Sequence, residues 1–126
     1  MTGPTLLLVA LLGGVGAASR FVVDGLVRDR VAQGLPIGTA VVNVSGSLII
    51  GLLAGAQLYH GAGGPWLVAA MTGFCGGFTT FSTAMVETAR LLQAGEVRRA
   101  TITAAGSLVL TVSAAALGVA VMALAA

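Results

Sequence analysis

The chain has 126 residues, 57% of them hydrophobic and only 8% charged, with a net charge of +2 and a mean hydropathy of +1.04. Soluble domains carry about 25% charged residues, so this composition excludes a water-soluble globule, and six arginines scattered near helix ends and loops, with no lysine, exclude a nucleic-acid footprint. At about 20 residues per bilayer span the length fits four transmembrane helices in one domain, and the single cysteine, Cys75, excludes an intramolecular disulfide.

The first span is expected over about 5–27. No basic stretch precedes it, so it reads as a retained span rather than a signal peptide. Gly13, Gly14 and Gly16 suit close helix contact. Arg20 and Asp24 are four apart and share a face, where they either pair or snorkel separately at the interface. Arg28, Asp29, Arg30 and Gln33 form a polar loop, and Gly34 and Pro36 lead into a second span over about 37–58.

Asn43 falls about two turns inside that span, where a bare amide is costly. It either glues neighbouring helices or serves a polar path, and Ser47 lies one turn on. Gly51-x-x-x-Gly55 is a small-residue face. His60 reads as a solvated residue of the second loop and Trp66 as an interfacial anchor for a third span over about 66–86. Glu87 and Arg90 are three apart and spaced to pair.

The third span is anomalous. Its centre reads Gly73-Phe74-Cys75-Gly76-Gly77-Phe78-Thr79-Thr80-Phe81-Ser82-Thr83, inside a stretch without Asp, Glu, Lys or Arg from Val31 to Val86. Paired glycines weaken a helix, and Ser/Thr offer the backbone other partners. A broken helix at bilayer depth is tolerated only where protein buries it or a wet cavity receives it. The fourth span, about 100–123, is uncharged but places Thr103, Ser107 and Thr111 on one face. Each hydroxyl alone is plainly read as back-bonded to its own helix; three in register suggest a polar track.

The polar groups at membrane depth are thus nearly all neutral donors, and no Asp or Glu lies at the centre of a span. That disfavours a proton-coupled cation exporter, which needs a mid-membrane carboxylate. Hydroxyls, amides and the ring edges of Phe74, Phe78 and Phe81 suit an anion shedding water, while carbonyls freed at a break suit a hard cation.

Gly76-Gly77-Phe78-Thr79-Thr80-Phe81-Ser82-Thr83 closely resembles the motif of the Fluc (CrcB) fluoride channels, as do Gly13-x-x-Gly16-Ala17-x-x-Arg20 and Thr39-x-x-x-Asn43-x-x-Gly46-Ser47. The likeness spans nearly the whole chain. It implies an all-α membrane protein with a broken third helix, built as an antiparallel, dual-topology-type dimer in the bacterial plasma membrane. It further implies passive, non-enzymatic fluoride efflux, and a structural sodium ion held by backbone carbonyls, here those of Gly76 and Thr79. By the same resemblance Asn43 and Phe81 match pore residues, with the hydroxyls of Thr80, Ser82 and Thr83 beside them; Ser107 and Thr111 fall in the fourth-span track. Arg20 matches the first-span arginine and Glu87 an acid at the end of the pore. The second pore phenylalanine of the family would fall at Ala84, which has no ring.

Arg28, Arg30, Arg90, Arg98 and Arg99 lie in or beside loops one and three, which the positive-inside rule assigns to the cytoplasm, with both termini outside. So biased a chain is expected to pair with a homologous chain of opposite orientation as a heterodimer. The alternatives are a small four-helix multidrug-type cation/proton exporter and a structural membrane subunit without transport.

Overall fold

A computed structural model describes residues 1–32 and 35–126. Gln33 and Gly34, assigned above to the approach to the second span, lie outside the described residues. The fold is all-helical: α1 (Gly3–Arg28), α2 (Ile37–His60), a third rod in two halves, and α5 (Val97–Leu124). The first half of that rod, α3 (65–78), is α-helical over Pro65–Val68, π-helical over Ala69–Cys75 and α-helical again over Gly76–Phe78; the second half is α4 (Phe81–Gln93). Helices α1, α2 and α5 have 26, 24 and 28 residues and are each long and apolar enough to cross a membrane. At 1.5 Å per residue they extend about 36–42 Å.

The boundaries follow local chemistry. Pro65 opens α3 in the first turn, where a missing N–H costs nothing. Helix α2 ends on Gly61 at φ 65°, and the Ala62 N–H closes on Ala56 O at 3.2 Å. His60 is therefore the last residue of α2 rather than a loop residue; it is exposed, and its Nε2 lies 2.9 Å from Met122 O.

Helix α2 touches every other helix, and its pairing with α5 and that of α1 with α3 are the two most extensive in the molecule. It buries a stripe of Thr39, Val42, Asn43, Gly46, Gly51 and Gly55 at helical spacing. The stripe is of small residues because backbones meet there: a Cβ on Gly51 would run into the Ala115 carbonyl, and one on Gly118 into Leu48 O. Helix α1 packs on α3 in the same manner. A Cβ on Gly16 would strike Phe74 O, and one on Gly77 the Gly13 carbonyl. Close approach between small residues is how helices associate where lipid removes the hydrophobic drive.

The apolar core is accordingly small, with Val42, Leu67, Ala69, Cys75 and Phe78 among its members, while Leu7, Leu11, Phe21, Leu108 and Val112 are exposed. Such an apolar exterior suits hydrocarbon and not water.

Candidate functional site

The third rod breaks at Thr79 and Thr80, not at the glycine pair. Gly76 is helical, at φ −63° and ψ −38°, whereas Thr79 (φ −82°, ψ 160°) and Thr80 (φ −146°, ψ 120°) are extended. All four backbone groups of this dipeptide are satisfied. Thr79 N–H donates to Cys75 O at 3.0 Å, and Thr79 O accepts from Arg20 Nη1 at 3.1 Å. Thr80 N–H donates to Asn43 Oδ1 at 2.7 Å, and Asn43 Nδ2 donates to Thr80 O at 2.8 Å. An unpaired buried backbone group costs about 1–3 kcal/mol, so α1 and α2 supply through two side chains what the helix gave up. The Thr80 hydroxyl then caps α4, accepting from Thr83 N–H at 3.2 Å and donating to Thr83 Oγ1 at 3.1 Å.

Beside the break lies a groove of about 550 Å³, walled by α2, α3, α4 and α5. Of the residues expected on an ion path it gathers Asn43, Thr80, Phe81, Ser107 and Thr111, together with Gly76 and Thr79. Ser47 and Thr103 line it as well, so the polar positions of the second and fourth spans converge on one hollow. No lining residue is an acid. The hydroxyls of Ser47, Thr103 and Ser107 have no hydrogen-bond partner among the described residues, whereas Thr111 Oγ1 donates back to Ser107 O at 2.8 Å. Asn43 is buried to 8% exposure, while Phe81 at the groove is 77% exposed. Ala84, where a second ring was expected, lines the same groove and is buried.

Ser82 and Thr83 are not brought into the groove. They line a second hollow of about 660 Å³ with Glu87, Arg28 and Arg90. Thr83 also meets Arg20, Thr39 and Thr80 around a third, of about 250 Å³ between α1, α2 and α4. Thr80 borders both the groove and this third space, and Thr83 borders both the second hollow and the third.

Neither of the ion pairs that the spacing allowed is formed. Asp24 pairs with Arg28 at 2.9 Å rather than with Arg20, which is turned to the break; both arginines are four residues from Asp24, and the broken backbone takes the inner one. Glu87 accepts from Thr39 Oγ1 at 2.8 Å and lies 3.5 Å from Arg28 rather than pairing with Arg90. Arg28, at the outer end of α1, has its pKa raised above the ordinary arginine value, first by its hydrogen bond to Asp24 and then by that charge.

Sequence reasoning missed Met71, Thr72, Cys75 and Thr88 in the groove wall. The spacing of Thr72, Gly76 and Thr80, four apart, was the available signal; the π-helical stretch has none in composition. Among the described residues there is no group of three or more His, Cys, Asp or Glu able to hold a metal. Backbone oxygens at the break are the remaining candidates. In a continuous helix the Thr80 N–H would bond Gly76 O, and here it goes to Asn43. A Cβ on Gly76 would meet nothing within 4 Å, and this exposed residue lines the groove.

The fold and groove define a small multi-pass membrane protein with an uncharged polar path beside a broken helix. The profile of the family described as CrcB-like protein, Camphor Resistance (CrcB), matches residues 7–119, and the chain belongs to that family. It is 44% identical to the fluoride-specific ion channel FluC 1 of Leifsonia xyli subsp. xyli, over 94% of this chain and 86% of that one. It is 46% identical to FluC 2 of Mycolicibacterium paratuberculosis, over 87% of each chain. With FluC 2 of Mycobacterium bovis the identity is 42%, over 94% of this chain and 95% of the relative. These relatives are named as ion channels and not as enzymes.

Proposed function

We propose that this chain is a fluoride-selective channel that lowers cytoplasmic fluoride by passive efflux through a pore in which Asn43, Thr80, Phe81, Ser107 and Thr111 take part. The carrying observation is the groove, whose polar lining is hydroxyls and one amide without a carboxylate. Neutral donors replace part of an anion's hydration shell without trapping it, and no acid repels it. Helix α4 begins at Phe81, so its first-turn amides and positive dipole end lie beside the same space. The carriage of fluoride by relatives 42–46% identical supplies the ion.

The groove requires a partner. Hydroxyls at bilayer depth are not left to hydrocarbon, and Phe81 is 77% exposed beside them. An oppositely oriented homologous chain, closing the groove as an antiparallel dimer, covers both, and a heterodimer partner would supply the ring missing at Ala84. The arginines beside loops one and three, among them Arg28 and Arg90 around one hollow, favour a single orientation for this chain with those loops in the cytoplasm. The single four-helix domain, with spans near 5–27, 37–58, 66–86 and 100–123, is the unit that pairs.

A structural sodium ion fits the break in part. Gly76 O is released from its helix bond, and the negative end of α3 favours a cation. Thr79 O already accepts an Arg20 N–H and offers only its second lone pair, next to a positive charge. Sodium bound there would supply a fixed positive charge that lowers the electrostatic barrier to an anion nearby.

The test is efflux from liposomes loaded with fluoride or chloride, opened to an electrical shunt. Fluoride release without chloride release supports the channel; proton-driven uptake of drug cations would replace it with an exporter. Full efflux, or mixed orientation, from this chain expressed alone would overturn the heterodimer.

A further inference from the structure

The groove and the candidate cation site share one side chain. Asn43 pairs with both backbone groups of Thr80, at 2.7 and 2.8 Å, from a position only 8% exposed. Thr80 N–H is the donor that would otherwise return to Gly76 O and extend α3 by a residue. Its neighbour Thr79 still obeys the helix rule, bonding Cys75 O at 3.0 Å. The helix therefore stops at the residue where an external acceptor intervenes. We propose that Asn43 is a positioning residue for a hard monovalent cation: its Oδ1, by holding Thr80 N–H, keeps the Gly76 carbonyl free to bind the ion.

This deepens the reading of a sodium ion at the break and rests on it. Two features make the role particular to Asn43. The side-chain amide carries an acceptor and a donor spaced to match the N–H and C=O of one extended residue, which no hydroxyl can do. Also, Gly76 faces open space while Gly77, beside it, is pressed on the Gly13 carbonyl. The glycine at 76 is thus not required by packing within the chain, and this exposed residue lines the groove that Asn43 also lines. The consequence is coupling: a side chain on the anion path also sets the cation's ligand. Substitutions at Asn43 act on fluoride and sodium through different atoms. Oδ1 controls Gly76 O, whereas the second N–H of the amide, not used by Thr80, is available to the anion.

The test compares Asn43→Ala with Asn43→Asp in the purified, assembled channel. Thermal unfolding is followed against sodium chloride, with N-methylglucamine chloride holding ionic strength constant, and fluoride flux is measured in parallel. Asp keeps the acceptor for Thr80 N–H but adds a negative charge to the groove. The expected result is a half-saturating sodium concentration raised at least about tenfold in N43A, equivalent to about 1.4 kcal/mol. N43D stays within about threefold of wild type, and fluoride flux collapses in both. Should N43A not purify, Asn43→Ser, whose hydroxyl is one bond short of Thr80 N–H, serves in its place. Unaltered sodium dependence in N43A, or a loss in N43D equal to that in N43A, overturns the inference while leaving the sodium site standing. A wild-type protein with no sodium dependence removes the site and the inference together.

Discussion

The two halves of the third rod are one segment of sequence put to two uses. Helix α3 lies against α1 through bare backbone. Gly73 faces Val9 O and Gly77 faces Gly13 O, with Phe74 and Phe78 stacked at 5.6 Å between centroids. Helix α4 begins after the break and packs on α5, presenting Thr88, Glu87 and Arg90 along the groove and the second hollow. The first half is fixed by shape and the second by hydrogen bonds and charge. Close packing is therefore concentrated on one side of the break and polar chemistry on the other.

The strongest way to break this contrast is to alter neighbouring glycines. Gly77→Val drives a side chain into the Gly13 carbonyl, and a loss of about 3 kcal/mol or more is expected, read as aggregation or failed extraction in detergent. Gly76→Ala meets open space and is expected to fold as wild type, within about 1 kcal/mol by thermal unfolding. Equal behaviour of the two would erase the distinction between packed and open glycines.

Substitutions at the groove should damage transport, and that of the exposed Phe81 should also spare the fold. Phe81→Ala removes a ring that is 77% exposed in the chain and is expected to cut fluoride flux about tenfold or more with the protein still folded. Asn43→Ala should depress flux at least as much. Normal efflux from both variants in liposomes would remove these residues from the path.

The clamp from α1 comes next in size. Arg20→Gln leaves Thr79 O with a weaker donor or none, at a cost of about 1–3 kcal/mol in unfolding experiments. A melting curve indistinguishable from wild type would mean the break is held by Asn43 alone. The smallest effect is at the rim. Arg28 is 55% exposed and pairs with Asp24 at 2.9 Å, so Arg28→Gln should cost no more than about 1 kcal/mol, and less in high salt. A larger, salt-independent loss would show that the contact with Glu87 matters more than its 3.5 Å separation suggests.

Much of the site was legible in the residues because bilayer chemistry is unforgiving. Asn43, Thr103, Ser107 and Thr111 stand out in apolar helices, and helical spacing alone puts the last three on one face. The composition of the third span announced a break, but its position by two or three residues was not legible. Composition pointed to the glycine pair and the threonines alike; both glycines are helical, because Gly77 is needed where α1 comes closest, and the threonines carry the break because they receive partners from afar. Arg20 illustrates the same limit: four-residue spacing offered Asp24, while Thr79, 59 residues away, took the guanidinium.

Length and hydropathy by themselves determined that the chain is a helical membrane protein, and the absence of mid-span acids determined that its polar path is neutral. Those properties depend on each residue against its solvent. Tertiary structure alone decided where the third helix parts, which hydroxyls share a groove and which arginine guards the break. These depend on backbone groups finding partners across the bundle, and no local pattern records which partner arrives.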